Sequence, residues 1–359
     1  MGVTRSFNSY FQNNEYLLYD TSFPAGQSSA IAEGNAVDGA YPWISSSNPD
    51  SGWDAAGVSA IYNAEQTYDY FLNTHSRNSY DGNGTKLRSF VNTLNEDGEP
   101  LFNAYWNGSQ LFYGTGAYGS KNMAIALDVA GHEFSHAVVQ FTANLRYQNQ
   151  SGAMNESFAD FFGAMIDRDD WYVGEDILNP YGPYDYLRDM SNPPSTGDPG
   201  HMDNFLNLPN TKEGDWGGVH SNSGIHNRAL YLLAEGLTSE GLGTSVGKAK
   251  AETLAYATLQ KLTADAEFID SANTMMLEAQ SIYGSSSAEY QSVSDAWEGV
   301  GVTTSVVVTE GGTDDIALTT GDDVLAYLYP TDGAIENLWD EEYDIYVTVI
   351  NQPFSGHVS

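Results

Sequence analysis

The stretch Asp128-Val-Ala-Gly-His132-Glu133-Phe-Ser-His136-Ala-Val-Val139 decides how the chain is read. Its apolar residues, with Ala124, Ile125 and Leu127 before it and Phe141 after it, suit a buried helix. On a helix, residues i and i+4 stack on one face, so His132 and His136 stand one turn apart and can grip one metal ion. Glu133 lies beside them, placed to act as a base on a water at that metal. Two histidine ligands and an adjoining glutamate form the His-Glu-x-x-His arrangement that zinc-dependent hydrolysis requires. The pentapeptide also arises by chance, and helical histidines can be core residues bonded to carbonyls, so the surrounding text has to decide.

Composition narrows the field. The chain has 359 residues, enough for two sizeable domains, and no cysteine, so disulfides cannot staple it and bound metal can. With 48 Asp and Glu against 13 Lys and Arg, the net charge is −35. Such a surface repels nucleic acid and anionic membranes and suits divalent cations and saline water. No apolar run reaches transmembrane length, and no signal peptide is evident. The absence of cysteine does not by itself decide the compartment.

Along the chain, residues 1–125 read as a β-rich domain, 126–302 as the metal helix and a helical domain, and 303–359 as an acidic β appendage. One helix is expected at 54–74, with Asp54 as its N-cap and an apolar stripe through Val58, Ile61, Tyr62, Tyr68 and Phe71. Residues 102–114 read as two strands joined at Asn107-Gly108. They form either an ordinary hairpin or an edge where Asn103 and Ala104 pair with an extended peptide. In Tyr147-Gln-Asn-Gln-Ser-Gly152-Ala-Met-Asn155-Glu156-Ser-Phe-Ala-Asp160, Gly152 and Asn155 are expected just ahead of a second apolar-periodic helix.

Glu156 and Asp160 are again one turn apart, in apolar surroundings where carboxylates are costly unless paired or metal-bound. Glu156 is the natural third ligand, and Asp160 the natural acceptor for the far nitrogen of a liganding histidine. Further helices are expected at 224–236, 247–262, 268–283, with Met275 and Met276 as core, and 287–299. The tail holds eleven acids and no Lys or Arg, and it alternates like a strand over 344–350. Gly243-Thr-Ser245-Val-Gly247 fits the Gly-x-Ser-x-Gly pattern of serine hydrolases, but that motif needs a strand before it. Here a helix and a Gly-rich loop precede it, so it reads as a helix-to-helix connection.

Taken together, the ordered motifs closely resemble the thermolysin-like neutral metallopeptidases over about residues 50–302. They are Asn103-Ala-Tyr-Trp-Asn-Gly-Ser-Gln110, His132-Glu-Phe-Ser-His136, Tyr147-Gln-Asn149, Gly152-Ala-Met-Asn-Glu156-Ser-Phe-Ala-Asp160, Leu187-Arg188-Asp-Met-Ser191 and Gly217-Gly-Val-His220-Ser-Asn-Ser-Gly224. The resemblance implies an α+β fold of two domains, β-rich then helical, with the zinc helix in the cleft between them. It implies that His132, His136 and Glu156 hold one zinc, as in the two-histidine, one-glutamate set for which thermolysin is the standing example. Glu133 would be the general base, and His220 and Tyr147 would stabilise the oxyanion. Asp215 would orient His220, and Asp160 a zinc ligand. Arg188 would hold a substrate carbonyl, and Asn103 and Ala104 would align the peptide. Val129, Ile177 and Leu187 would line a pocket for a bulky apolar residue after the cut bond.

The same resemblance implies one or two structural calcium ions, with Asp128, Asp167, Asp170 and Glu175 matching one carboxylate cluster and Asp185 a second site. The Asp167–Asp170 loop is shorter than in thermolysin and Tyr172 stands in place of an acid, which reduces a double site to a single one. Peptides and proteins are the implied substrates. Two other classes compete. A purely structural zinc protein would close the fourth position with a protein ligand and has no use for Glu133, Tyr147 and His220. An aminopeptidase would need a group to capture a free α-amine, and the sequence offers no candidate.

Overall fold

The computed structural model describes residues 4–20, 29–32, 43–117, 119–178, 185–236, 245–304, 335–340 and 345–350. At its start, β1 (Tyr10–Gln12) and β2 (Glu15–Leu17) form a hairpin through Asn13 and Asn14, both at positive φ, as a two-residue turn that matches strand twist demands. β3 (Ser29–Ala32) belongs to a second sheet, while β4 (Ser45–Ser46) pairs with β2.

α1 (Ala55–His75) begins where expected, the Asp54 carboxylate accepting the Gly57 N–H at 2.8 Å. It buries Ala60, Ile61, Ala64 and Phe71, and it stops at Ser76, which takes a left-handed conformation. β5 (Arg88–Thr93), β6 (Ala104–Trp106) and β7 (Leu111–Gly114) complete a sheet ordered β3-β5-β7-β6. β6 and β7 are antiparallel and meet through Asn107–Gln110, where the Asn107 side chain accepts two backbone N–H groups and Gly108 has φ +95°. β6 is therefore an edge strand.

α2 (Leu127–Gln140) lies between this sheet and the later helices. Its approach is fixed by Asn63 of α1, whose amide donates to Ala124 O and Ala126 O at 3.1 and 3.2 Å. Phe134 of α2 stacks on Phe71 of α1 with ring centroids 5.3 Å apart, and Trp106 of β6 bonds Gln140 at 2.7 Å. On its other side, α2 crosses α3 (Asn149–Asp167) where Gly131 meets Gly163. A Cβ on Gly163 would stand 2.7 Å from Asp128 O, so only glycine permits this approach. The crossing sits one residue from His132, which is how α3 brings its carboxylates to the histidines.

α3 starts earlier than the sequence suggested. Gly152 and Asn155 lie inside it and not ahead of it: Gly152 is a contact glycine, and a Cβ there would meet Val219 Cγ1 at 2.4 Å. β8 (Tyr172–Val173) and β9 (Arg188–Asp189) form a short hairpin ladder. α4 (Asp215–Glu235) opens with four residues at positive φ, Asp215 to Gly218, before turning regular. α5 (Lys248–Leu259), α6 (Phe268–Tyr283) and α7 (Ala288–Glu298) follow near their expected bounds, with Met275 and Met276 buried in the core. Gly243 and Thr244 lie outside the described residues; Ser245–Gly247 lead into α5 with α4 before them. In the tail, β10 (Ile335–Asp340) and β11 (Ile345–Ile350) pair antiparallel, so the expected strand has a partner.

Candidate active site

His132 and His136 share one face of α2, their Nε2 atoms 3.0 Å apart. Glu156 of α3 closes the group, with Oε2 3.4 Å from His132 Nε2 and Oε1 3.5 Å from His136 Nε2. One donor atom from each of the three residues lies within 4.8 Å of the others. The outward nitrogens are held from α3: His132 Nδ1 is 2.8 Å from Asp160 Oδ1, and His136 Nδ1 is 2.8 Å from Asn155 Oδ1. Those contacts leave both Nε2 atoms facing inward. Asn155 is marked by the sequence only as lying just ahead of a helix. It spans His136 and Leu145 O, which its amide reaches at 3.1 Å, and no periodicity could have shown that.

The electrostatics are those of a site built for a cation. Burial alone would raise the Glu156 carboxyl, but His220, His136 and His132 hold it well below the usual carboxylate range. Burial alone would lower His132, but the Asp160 and Glu156 carboxylates beside it raise it to about 10. Glu156 Oε2 is buried with no hydrogen-bond donor. Three converging N and O donors, a donorless carboxylate oxygen and distal nitrogens fixed by polar partners fit zinc.

Around this group stand the other expected residues. Glu133 is buried, and burial lifts its carboxyl above the usual range against the lowering pull of His132 and His136; the Trp106 backbone N–H donates to it. Tyr147 donates its phenol proton to Glu156 Oε1 and lies 3.1 Å from His220 Nε2. His220 is half-exposed, its Nδ1 2.7 Å from Asp215 Oδ1 and its backbone N–H 2.9 Å from Asp215 Oδ2. The left-handed run at 215–218 is what folds Asp215 back onto a histidine five residues ahead.

Arg188 binds Asp160 through both nitrogens, Nε at 2.8 Å and Nη2 at 2.6 Å, while Asn227 of α4 adds a third donor to Asp160 at 2.8 Å. Burial would raise the Asp160 carboxyl, but Arg188 and then His132 keep it low. Asn227 lies 67 residues from Asp160 and carries no sequence signal for this role.

Of the pocket residues, Val129 and Ile177 are buried, and Leu187 is half-buried against Gly174. Asn103 is exposed beside the β6 edge, its carbonyl taken by the Gly114 N–H at 2.9 Å; Ala104 pairs with Tyr113.

A second group joins Asp128, Asp167 and Glu175, again within 4.8 Å. Burial, then the charge of neighbouring acids, raises their carboxyls to about 6, 6 and 8: Asp167 and Asp176 act on Asp128, Asp169, Asp176 and Asp170 on Asp167, and Asp128, Asp170 and Asp167 on Glu175. Asp128 Oδ1 and Glu175 Oε2 are buried without a hydrogen-bond partner. An oxygen-only set of this kind suits Ca²⁺. Asp170 stands outside the group, its Oδ1 accepting the Tyr172 N–H at 2.8 Å, and exposed Asp185 joins neither group.

The helix carrying two histidines, the glutamate brought to them from α3 and the two-part fold are those of a zinc metallopeptidase scaffold. The family model described as thermolysin metallopeptidase, catalytic domain, matches residues 1–140, and that described as thermolysin metallopeptidase, alpha-helical domain, matches residues 143–302. A bacillolysin of Brevibacillus brevis is 41% identical over 307 residues, covering 84% of this chain and 56% of that protein. The neutral protease NprE of Bacillus pumilus is 38% identical over 313 residues, covering 84% of this chain and 96% of that protein. The solved precursor of protealysin, the metalloproteinase from Serratia proteamaculans, aligns with a TM-score of 0.66 at 33% identity, over 79% of this chain and 89% of that one. The chain belongs to the thermolysin metallopeptidase family. It spans about half the length of the first curated relatives it matches.

Proposed function

We propose that the protein is a secreted, monomeric zinc endopeptidase acting on peptides and proteins, and that it cuts on the amino side of bulky apolar residues. The observation that carries this reading is the convergence of His132, His136 and Glu156 with Glu133, Tyr147 and His220 beside them. His132, His136 and Glu156 would hold the zinc, which when bound supplies a Lewis acid for the scissile carbonyl and the attacking water. Glu133 takes a proton from that water and later delivers it to the leaving amine; its raised carboxyl pKa favours both halves of the task. Tyr147 and His220 donate hydrogen bonds to the oxyanion, each worth several kcal/mol as an order of magnitude. Asp215 holds His220 in the orientation for that bond.

Substrate would lie along the β6 edge, where Asn103 and Ala104 offer backbone groups to an extended chain. Arg188 would hold a substrate carbonyl while braced by Asp160. Val129, Ile177 and Leu187 would receive the apolar side chain after the cut bond, discriminating by burial at about 0.8 kcal/mol per CH₂. Asp128, Asp167 and Glu175 would bind one structural Ca²⁺, with Asp170 lending charge. Asp185, which joins no such group among the described residues, would serve a second ion. We take residues 1–125, 126–302 and 303–359 as the working division of the chain.

A peptide-library digest read by mass spectrometry, with and without a zinc chelator, tests the reading. Chelator-sensitive cuts before Leu, Ile, Phe or Val are expected. Chelator-insensitive cutting, or a preference for Lys, Arg or Asp in that place, defeats it.

A further inference from the structure

α4 meets α3 through three directed contacts. His220 Nε2 faces Glu156 Oε1 at 3.5 Å, and Asn227 Nδ2 donates to Asp160 Oδ2 at 2.8 Å. Between these two positions of α4, His226 Nδ1 lies 2.7 Å from Ser157 Oγ. The first two contacts belong to the site described above. The third is used by nothing in it, although Ser157 directly follows Glu156 and Asn227 directly follows His226.

His226 is fully buried. Its Nε2 lies 3.0 Å from Ser271 Oγ of α6, and its ring is walled by Phe158, Trp297 and Phe268, with centroids at 4.9, 5.2 and 6.1 Å. A neutral imidazole has one donor and one acceptor, and a serine hydroxyl can play either part, so both ring nitrogens are satisfied without water or charge. Burial pushes the ring down to about 3, which keeps it neutral at any working pH. If filling the space between aromatic rings were the only demand, an apolar side chain would meet it without the cost of burying polar atoms. What the imidazole adds is direction. A hydrogen bond between two helices fixes their rotation and height, whereas apolar packing tolerates small slips.

We propose that His226 is a positioning residue for the peptidase reaction: through Ser157 it sets α4 against α3 so that His220 faces Glu156 and Asn227 reaches Asp160. His226 touches no reacting atom. It acts by holding the oxyanion donor and the zinc-facing carboxylates, which come from different helices, in one geometry. The proposal rests on the zinc-peptidase reading of the site.

The test compares Ser157→Ala, Ser271→Ala, His226→Leu and the double variant Ser157→Ala/His226→Leu with the parent protein. Each is read in three ways: kcat and KM on a peptide at full zinc loading, the visible absorption bands of the cobalt(II)-substituted protein, and the melting temperature of the metal-free protein. Misplacement of a catalytic group by a fraction of an ångström is expected to lower kcat on the order of tenfold in Ser157→Ala and in His226→Leu, with KM changed less than about twofold. The double variant should fall no further than His226→Leu, because both changes break one link. The cobalt bands should shift in both single variants. Ser271→Ala breaks only the tie to α6 and should lower the melting temperature while leaving kcat and the cobalt bands at the parent's values.

Ser157→Ala removes a single oxygen and decides the matter if His226→Leu does not fold. Parental kcat and parental cobalt bands in Ser157→Ala overturn the proposal, as does an equal loss of kcat in Ser271→Ala, which would mean general packing. A parent protein with neither turnover nor cobalt bands would instead overturn the zinc-peptidase reading, and this proposal with it.

Discussion

Asp160 grips Arg188 with both carboxylate oxygens, at 2.6 and 2.8 Å, and the same Oδ1 stands 2.8 Å from His132 Nδ1. One buried carboxylate thus touches both the histidine proposed as a zinc ligand and the arginine proposed to hold the substrate carbonyl. Two roles that looked separate along the chain share an anchor.

Asp160→Asn should therefore damage two functions together. The neutral amide can accept from one partner but cannot balance the buried guanidinium, and breaking a buried pair by removing one charge is strongly destabilising. Zinc affinity should fall about 10- to 100-fold, by analogy with other partners of metal-bound histidines. KM should also rise, since Arg188 loses its brace. Zinc competition against a chelator and steady-state kinetics at full zinc loading read the two effects apart. A variant that loses zinc affinity at unchanged KM would detach Arg188 from substrate binding.

Glu133 lies outside the ligand group, so metal and chemistry should separate there. Glu133→Gln is expected to keep about one zinc per chain while losing nearly all turnover, because an amide cannot take up the proton. His136→Ala should lose both. Metal analysis beside a peptide assay checks this, and substantial turnover in Glu133→Gln removes it as the base.

The carboxylate group Asp128, Asp167 and Glu175 makes a prediction in pH. Burial and the charge of neighbouring acids raise these pKa values to about 6, 6 and 8 in the metal-free fold. A raised carboxyl pKa contributes stability that is present below the unfolded value near 4 and lost as pH rises through the folded values. The metal-free protein should accordingly lose melting temperature between about pH 5 and 8.5. Calcium binds the ionised carboxylates, so its stabilising shift should be small at the acid end and grow across that window. Melting curves of stripped protein at several pH values, with and without millimolar Ca²⁺, measure it. A calcium shift of the same size at every pH would be inconsistent with these three residues as the ligands.

Salt should stabilise the fold. Residues 303–359 hold eleven of the 48 acids, and the remaining 37 still face only 13 basic residues, so the excess is spread over the main body as well. Like charges on a folded surface repel, and unfolding spreads them. Salt screens that repulsion as the Debye length falls from about 10 Å at 0.1 M to about 3 Å at 1 M. Surface ion pairs would give the opposite trend, because screening weakens attraction too. Melting temperature at saturating calcium should therefore climb from low to molar NaCl; a flat or falling curve would count against adaptation to brine.

The sequence by itself determined the local and periodic features. His132, Glu133 and His136 belong to one helix, so their mutual placement follows from a spacing of one turn, and the same holds for Glu156 and Asp160. The Asp54 cap and the buried methionines of α6 were legible for the same reason: the physics that sets them acts within a few residues. Tertiary structure alone decided which helices meet. Asn155 on His136, Asn227 and Arg188 on Asp160, and His226 between Ser157 and Ser271 are contacts across up to 69 residues of chain. Gly152 lies inside α3 and not ahead of it because the chain there packs against Val219. The resemblance puts Asp170 with Asp128, Asp167 and Glu175, and only the fold shows its Oδ1 accepting the Tyr172 N–H. A hydrogen bond or close approach between distant segments leaves no period in either one. It depends on where two independently formed elements cross, and only the packed core sets that.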